Sequence, residues 1–159
     1  MGKIKLSLDY DFTDEYDIIC ICSHLKEYKL VWNINNKFEY NFRKIEDFNY
    51  ENDGKSCNFS MFHYFDSTEN VDFYLITNKK DNDNIFPSLS QVDYLLLIKN
   101  QDKSLKIKSI IKNISDIKNV LTVFKAEENK LKTFNKFISN LEESLLIQQK
   151  VIKNLEEKL

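Results

Sequence analysis

The stretch Val92-Asp93-Tyr94-Leu95-Leu96-Leu97-Ile98 sets the fold class. It is too short and too uniformly apolar for an amphipathic helix, and it stops abruptly at Lys99-Asn100. It reads as a strand covered on both faces. Alternation places Val92 and Tyr94 on one face and Asp93 on the other. The chain enters this strand from a polar loop over 78–90 that holds Pro87, the only proline. Proline fixes its own φ and pushes Phe86 toward an extended conformation, so the entry direction is set locally. Asp93 is expected to accept backbone N–H groups from that preceding loop. A second run of the same kind, Ile18-Ile19-Cys20-Ile21-Cys22, predicts another strand covered on both faces.

Working outward, residues 57–65 and 71–77 are aromatic and strand-like, with Phe59, Met61, His63 and Phe65 sharing one face. Ser67 to Asn70 can turn between them, giving a hairpin. Asn52-Asp53-Gly54 is a second turn, because Gly supplies positive φ and Asn or Asp tolerates it. Residues 38–50 alternate loosely through Phe38, Tyr40 and Phe42 and then drift into an acidic segment. Ser23 can cap a helix over 24–36 with Leu25, Tyr28, Val31, Trp32 and Asn35 at helical spacing. Residues 11–17 read as an acidic turn, and 3–10 as a half-buried strand with Ile4, Leu6 and Leu8 on one side. Downstream, 104–114 is an amphipathic helix and 119–124 a strand. The order predicts an α+β fold: a mainly antiparallel sheet with packed helices and a long C-terminal helix. A ferredoxin-like arrangement is one candidate.

The last part of the chain is patterned differently. Leu131, Phe134, Ile138, Leu141, Leu145, Gln148, Ile152, Leu155 and Leu159 recur in alternating steps of three and four. That is a heptad seam with one polar member, Gln148. The division is therefore an α+β domain over 1–135 and a coiled-coil-like helical extension over 136–159. The interaction seam is Ile138, Leu141, Leu145, Gln148, Ile152, Leu155 and Leu159. Two readings stay open. The seam packs back on the sheet, as Phe137 and Val151 suggest by widening the apolar face, or it pairs with a partner helix, including one from a second copy.

Composition narrows the functions. With two glycines in 159 residues, most phosphate-cradling loops are excluded, because they need several glycines at close positions. No apolar run reaches the roughly 18 residues of a membrane-spanning helix, so no membrane partner is expected. Met1 to Asp17 has no apolar leader core. Three cysteines, two of them inside an isoleucine run, suit a reducing cytoplasm better than a disulfide framework. Cys20, Cys22 and His24, with Cys57 and His63, offer metal-ligand chemistry, but C-x-C-x-H is not a standard knuckle and buried thiols behave as small hydrophobes. Neither metal nor cofactor is expected, and no nucleophile–base pair can be named as catalytic. Asp9, Asp11, Asp14, Glu15 and Asp17 lack the EF-hand pattern and read as an exposed acidic turn. Residues 99–136 hold ten lysines and four acids, a local charge of +6. Such a region can contact phosphates, although the AT-rich codon bias of the whole sequence, with Arg43 its one arginine, inflates lysine.

Residues 86–94 read Phe86-Pro87-Ser88-Leu89-Ser90-Gln91-Val92-Asp93-Tyr94. This resembles the signature of the IPExxxVDY family, small cytoplasmic proteins of Bacteroidetes to which no reaction is assigned. Pro87, Val92, Asp93 and Tyr94 match at the family's spacing, Phe86 replaces an Ile, and Ser88 replaces the Glu. Residues 18–36 are similar to the family's strand-to-helix segment, 74–79 echo its Leu-Ile-x-Asn-Lys stretch, and 131–138 faintly echo its C-terminal motif. The resemblance implies a cytoplasmic protein and no catalytic residue; the signature itself is expected to be structural. The expected function is a non-enzymatic protein–protein interaction module, self-associating through the C-terminal helix. The alternative is an RNA- or ribonucleoprotein-associated protein using 99–136.

Overall fold

The computed structural model describes residues 11–13, 15–52, 54–100, 102–103 and 105–158. The strand expected over 3–10 lies outside them. Among the described residues eight strands and three α-helices follow in the order β1 (Tyr16–Ser23), α1 (Glu27–Phe38), β2 (Arg43–Asn52), β3 (Lys55–Asp66), β4 (Val71–Thr77), β5 (Lys79–Lys80), β6 (Asp83–Asn84), β7 (Tyr94–Lys99), α2 (Ile107–Ser115), β8 (Val120–Lys125) and α3 (Phe134–Glu157). Six of the strands form one sheet, ordered β2-β3-β4-β7-β1-β8, and β5 and β6 form a separate small hairpin inside the loop after β4. Every pairing is antiparallel.

The two uniformly apolar runs take the inner positions, β1 between β7 and β8, and β7 between β4 and β1. Each presents one row of side chains to each face. Ile19, Ile21, Leu96 and Ile98 pack under α1 and α2 with Leu30, Ile34, Ile110 and Ile114. Ile18, Cys20, Leu95 and Leu97 pack on the other side with Phe134, Phe137, Ile138 and Leu141 of α3. The molecule is α+β with helices on both faces of an antiparallel sheet. A ferredoxin-like arrangement keeps its helices on one face of the sheet; here they cover both, so that candidate is corrected.

The turns carry their own cause. Asn52 pairs with Lys55 across a two-residue turn in which Gly54 has φ 76°. Asn70, at φ 57°, closes the β3–β4 hairpin, and Asp66 accepts the N–H groups of Thr68 and Glu69. Helix α1 starts later than expected, with Lys26 in the capping position. Ser23 instead accepts from the Leu25 N–H and donates to the Asn119 carbonyl, tying β1 to the turn before β8. The buried stripe of α1 is Leu30, Val31 and Ile34, so Tyr28 and Trp32 face outward. The expected acidic turn over 11–17 is also cut short. Strand β1 already begins at Tyr16, and Asp17 is buried, where the ammonium groups of Lys125 and Lys103 stand 3.5 and 3.6 Å from its carboxylate.

Candidate functional site: the free half of the C-terminal helix

Helix α3 has two halves of opposite character. In the first, Phe134, Phe137, Ile138 and Leu141 are fully buried. Phe137 sets its ring edge-on to Phe48, Tyr50 and Phe86 at centroid distances of 5.5, 5.8 and 5.1 Å. Seam residues Ile138 and Leu141 are therefore core. Leu145 is half-buried at the margin and Gln148 is also half-buried. Beyond them Ile152 and Leu155 are 56% and 58% exposed, as are Leu146, Ile147 and Val151 at 56%, 56% and 49%. Leu159 lies outside the described residues. The domain division expected at residue 135 falls inside an element whose first two turns belong to the sheet's core.

Glu142 marks the point where the helix leaves the sheet. Its carboxylate accepts from the Tyr16 hydroxyl and pairs with the Lys99 ammonium at 3.0 Å. Burial, reinforced by Glu142, holds the Tyr16 phenol well above its ordinary pKa. Past Leu145 the helix runs on for residues 146–157, which at the α-helical rise is about 18 Å. Among the described residues, Glu143, Lys150, Lys153, Glu156 and Glu157 form no ion pair. Their order is acid (Glu142, Glu143), then base (Lys150, Lys153), then acid.

The signature residues hold the structure together from within. Phe86 is extended, at φ −115° and ψ 108°, and Pro87 opens a single 3₁₀ turn over Pro87–Leu89, as proline sterics require. Phe86 is buried against Phe137. Asp93 accepts the Ser23 N–H at 2.8 Å and faces Lys79 at 3.4 Å. Its backbone donor thus comes from β1, where the register shifts after Cys22, while the preceding loop supplies only the Lys79 ammonium. Val92 packs on the α3 side and Tyr94 under α1 and α2. The shared face expected for them is corrected, because Val92 still closes the turn to the Leu89 carbonyl and β7 begins only at Tyr94. The Tyr94 hydroxyl donates to the Leu25 carbonyl at 2.6 Å.

Asn78 organises the whole loop and was visible only as part of the echo at 74–79. It is fully buried. Its amide donates to the carbonyls of Leu89 and Val92, its side-chain oxygen accepts from the Phe86 N–H, and its backbone bonds to Asp93 and Ile85. Glu128 does similar work at the other end of β1, accepting the Ile18 N–H at 2.9 Å beside Lys125.

The remaining polar candidates are dispersed. Burial pushes the Cys20 thiol up to about 12. Cys22 is raised by burial and by Asp93, and Cys57 by its hydrogen bond to Asp83 at 3.1 Å. No described thiol is thereby activated. His24 is exposed past the end of β1, while His63 pairs with Asp72 at 2.7 Å and stacks on Tyr74. Among the described residues no three His, Cys, Asp or Glu side chains converge as metal ligands do. The lysines of 99–136 do not form one face. Lys99, Lys103, Lys125 and Lys130 are paired with acids. Lys108 and Lys112 ride on α2, and Lys132 and Lys136 lie by α3 across the sheet. No described helix is long and apolar enough to cross a membrane. No family model matches the chain, and no curated protein matches it.

Proposed function

We propose that this protein is a non-enzymatic protein–protein contact module of the IPExxxVDY type, working in the cytoplasm and self-associating through the free half of α3. The observation that carries the reading is the stripe of Ile147, Val151, Ile152 and Leu155, which stands clear of the domain on a helix whose other half is locked into the core. A solvated helix without a partner has no reason to keep such a stripe. A second copy carries the same stripe, so two free halves can cover each other's apolar face. The spread of the lysines over both faces of the sheet gives the RNA-associated reading no continuous track. The three free thiols suit a reducing compartment.

Light scattering on the full chain tests this. The expected mass is twice 19.0 kDa, falling to the monomer in an Ile152→Glu/Leu155→Glu variant whose circular dichroism is unchanged. A wild-type chain that stays monomeric at about 100 μM, a weak-dimer threshold, overturns the proposal.

A further inference from the structure

Helices α1 and α2 form one layer, on the face of the sheet opposite α3. Leu30, Val31 and Ile34 of α1 and Ile110 and Ile114 of α2 enter the same core cluster. The C-terminal end of α2 meets the N-terminal end of α1 at Asn119. The Asn119 carbonyl accepts from the His24 N–H at 3.4 Å and from the Ser23 hydroxyl at 2.9 Å. Lys112, in the last turn of α2, and Lys118 thus stand at the same end of the layer as Lys26 and Lys29.

The outer surface of this layer is basic. Segments 24–39 and 106–119 hold seven lysines against three acids, a local charge of +4 in a chain of net charge -2. All seven lysines are exposed, and among the described residues none of them forms an ion pair. Unpaired charge of one sign gathered on one face attracts partners of the other sign. Two aromatic rings stand within it. Tyr28 and Trp32, one helical turn apart and outside the buried stripe of α1, are 68% and 62% exposed. Both rings are held in place. Tyr28 sits edge-on to Phe62 at 6.1 Å, and the Lys29 ammonium lies 6.0 Å from the Trp32 ring centre. Pre-positioned Trp and Tyr side chains on a polar surface are the composition of a protein-contact hot spot. A single-stranded nucleic acid asks for open ring faces on which bases stack, and for arginine forks or glycine-rich backbone to hold phosphates. Neither segment contains an arginine or a glycine, and Lys29 already occupies one side of Trp32.

We propose that the Tyr28–Trp32 face of α1, with the adjoining end of α2, docks an acidic segment of another protein. An apolar side chain of that segment lies on Tyr28 and Trp32, and its carboxylates face Lys26, Lys29, Lys112 and Lys118. The surface lies across the sheet from α3, so it works independently of self-association. The probe is a short fluorescein-labelled peptide of aspartates and glutamates around one phenylalanine and one leucine, titrated with the full-length protein. Anisotropy should saturate with a Kd below about 1 mM, and the Kd should rise with salt as the charges are screened. Trp32 is the only tryptophan, so its emission should shift along the same curve. A Tyr28→Ala/Lys29→Glu variant should bind about tenfold more weakly or worse. Lys118→Glu, which lies outside both helices, should weaken binding about threefold and leave the fold untouched. Five results each overturn the proposal. The peptide does not saturate below that limit; a version with serine for phenylalanine and leucine binds as well; an oligouridylate of equal length binds more tightly; Trp32 emission stays fixed while anisotropy rises; or both variants bind like wild type.

Discussion

At the scale of single residues, the polar groups inside the fold are the most sensitive points. The Asn78 side chain satisfies three backbone groups, the Leu89 and Val92 carbonyls and the Phe86 N–H. Replacing it by Ala leaves the Leu89 and Val92 carbonyls buried and unpaired, and should cost about 2–4 kcal/mol by urea denaturation. Tyr50→Phe is the opposite case. It removes a hydroxyl that makes no bond in the protein, so stability should stay within about 0.5 kcal/mol or rise. A loss of several times that amount would show that the hydroxyl is paired after all. The phenols give a pH signature. Burial pushes Tyr40 and Tyr94 up to about 12 and Tyr16 and Tyr74 higher still. A raised phenol pKa favours the neutral form in the folded state, so its contribution is intact below the unfolded pKa near 10. The urea midpoint should therefore fall as pH rises from about 10 to 12, with phenolate absorbance lagging behind that of the unfolded chain.

At the scale of elements, α3 behaves as two pieces on one backbone. The first half shares the sheet's core, so Phe137→Ala opens a cavity between Phe48, Tyr50 and Phe86 and should cost about 3–5 kcal/mol. The second half touches no core cluster, so removing residues 146–159 should leave the urea midpoint unchanged while abolishing self-association. Hydrogen exchange resolves the two halves directly. Amides of 138–142 should exchange only on global unfolding, whereas those of 149–157 should exchange fast in dilute protein and slow as concentration rises. The heptad steps continue across both halves without a break in sequence. Periodicity reports that a stripe is apolar, and the sheet's margin at Glu142 and Leu145 decides which part of it is covered.

At the scale of the whole molecule, the edge strands of the sheet among the described residues are β2 and β8. Strand β2 is guarded by Arg43, Lys44, Glu46 and Asp47 and by a register irregularity between Ile45 and Phe48. Strand β8 is short but leaves Leu121 60% and Phe124 39% exposed. It is the weaker edge against strand-to-strand association. Leu121→Lys should slow heat-induced aggregation, read by turbidity, while changing the urea midpoint little, because the side chain buries little.

Much of this architecture was legible because its causes are local. Uniform apolar runs marked β1 and β7, Gly54 marked a two-residue turn, Pro87 set the geometry of Phe86, and spacing marked α2 and α3; all act within a few residues, through sterics and period. Other features depend on groups far apart in the chain. Asp17 is buried because Lys103 and Lys125 arrive from other segments. Ser23 is bound by Asn119 and not by its own helix. Val92 and Tyr94 part to opposite faces because Asn78 holds the turn that precedes β7. Local pattern was enough for the class of fold, an antiparallel sheet with helices and an apolar C-terminal stripe. The strand order, the covering of both faces, and the division of that stripe into core and free surface came from contacts between distant segments. The reason is that a hydrophobic period specifies a need for burial, and what is buried is settled by how far the rest of the molecule extends beneath it.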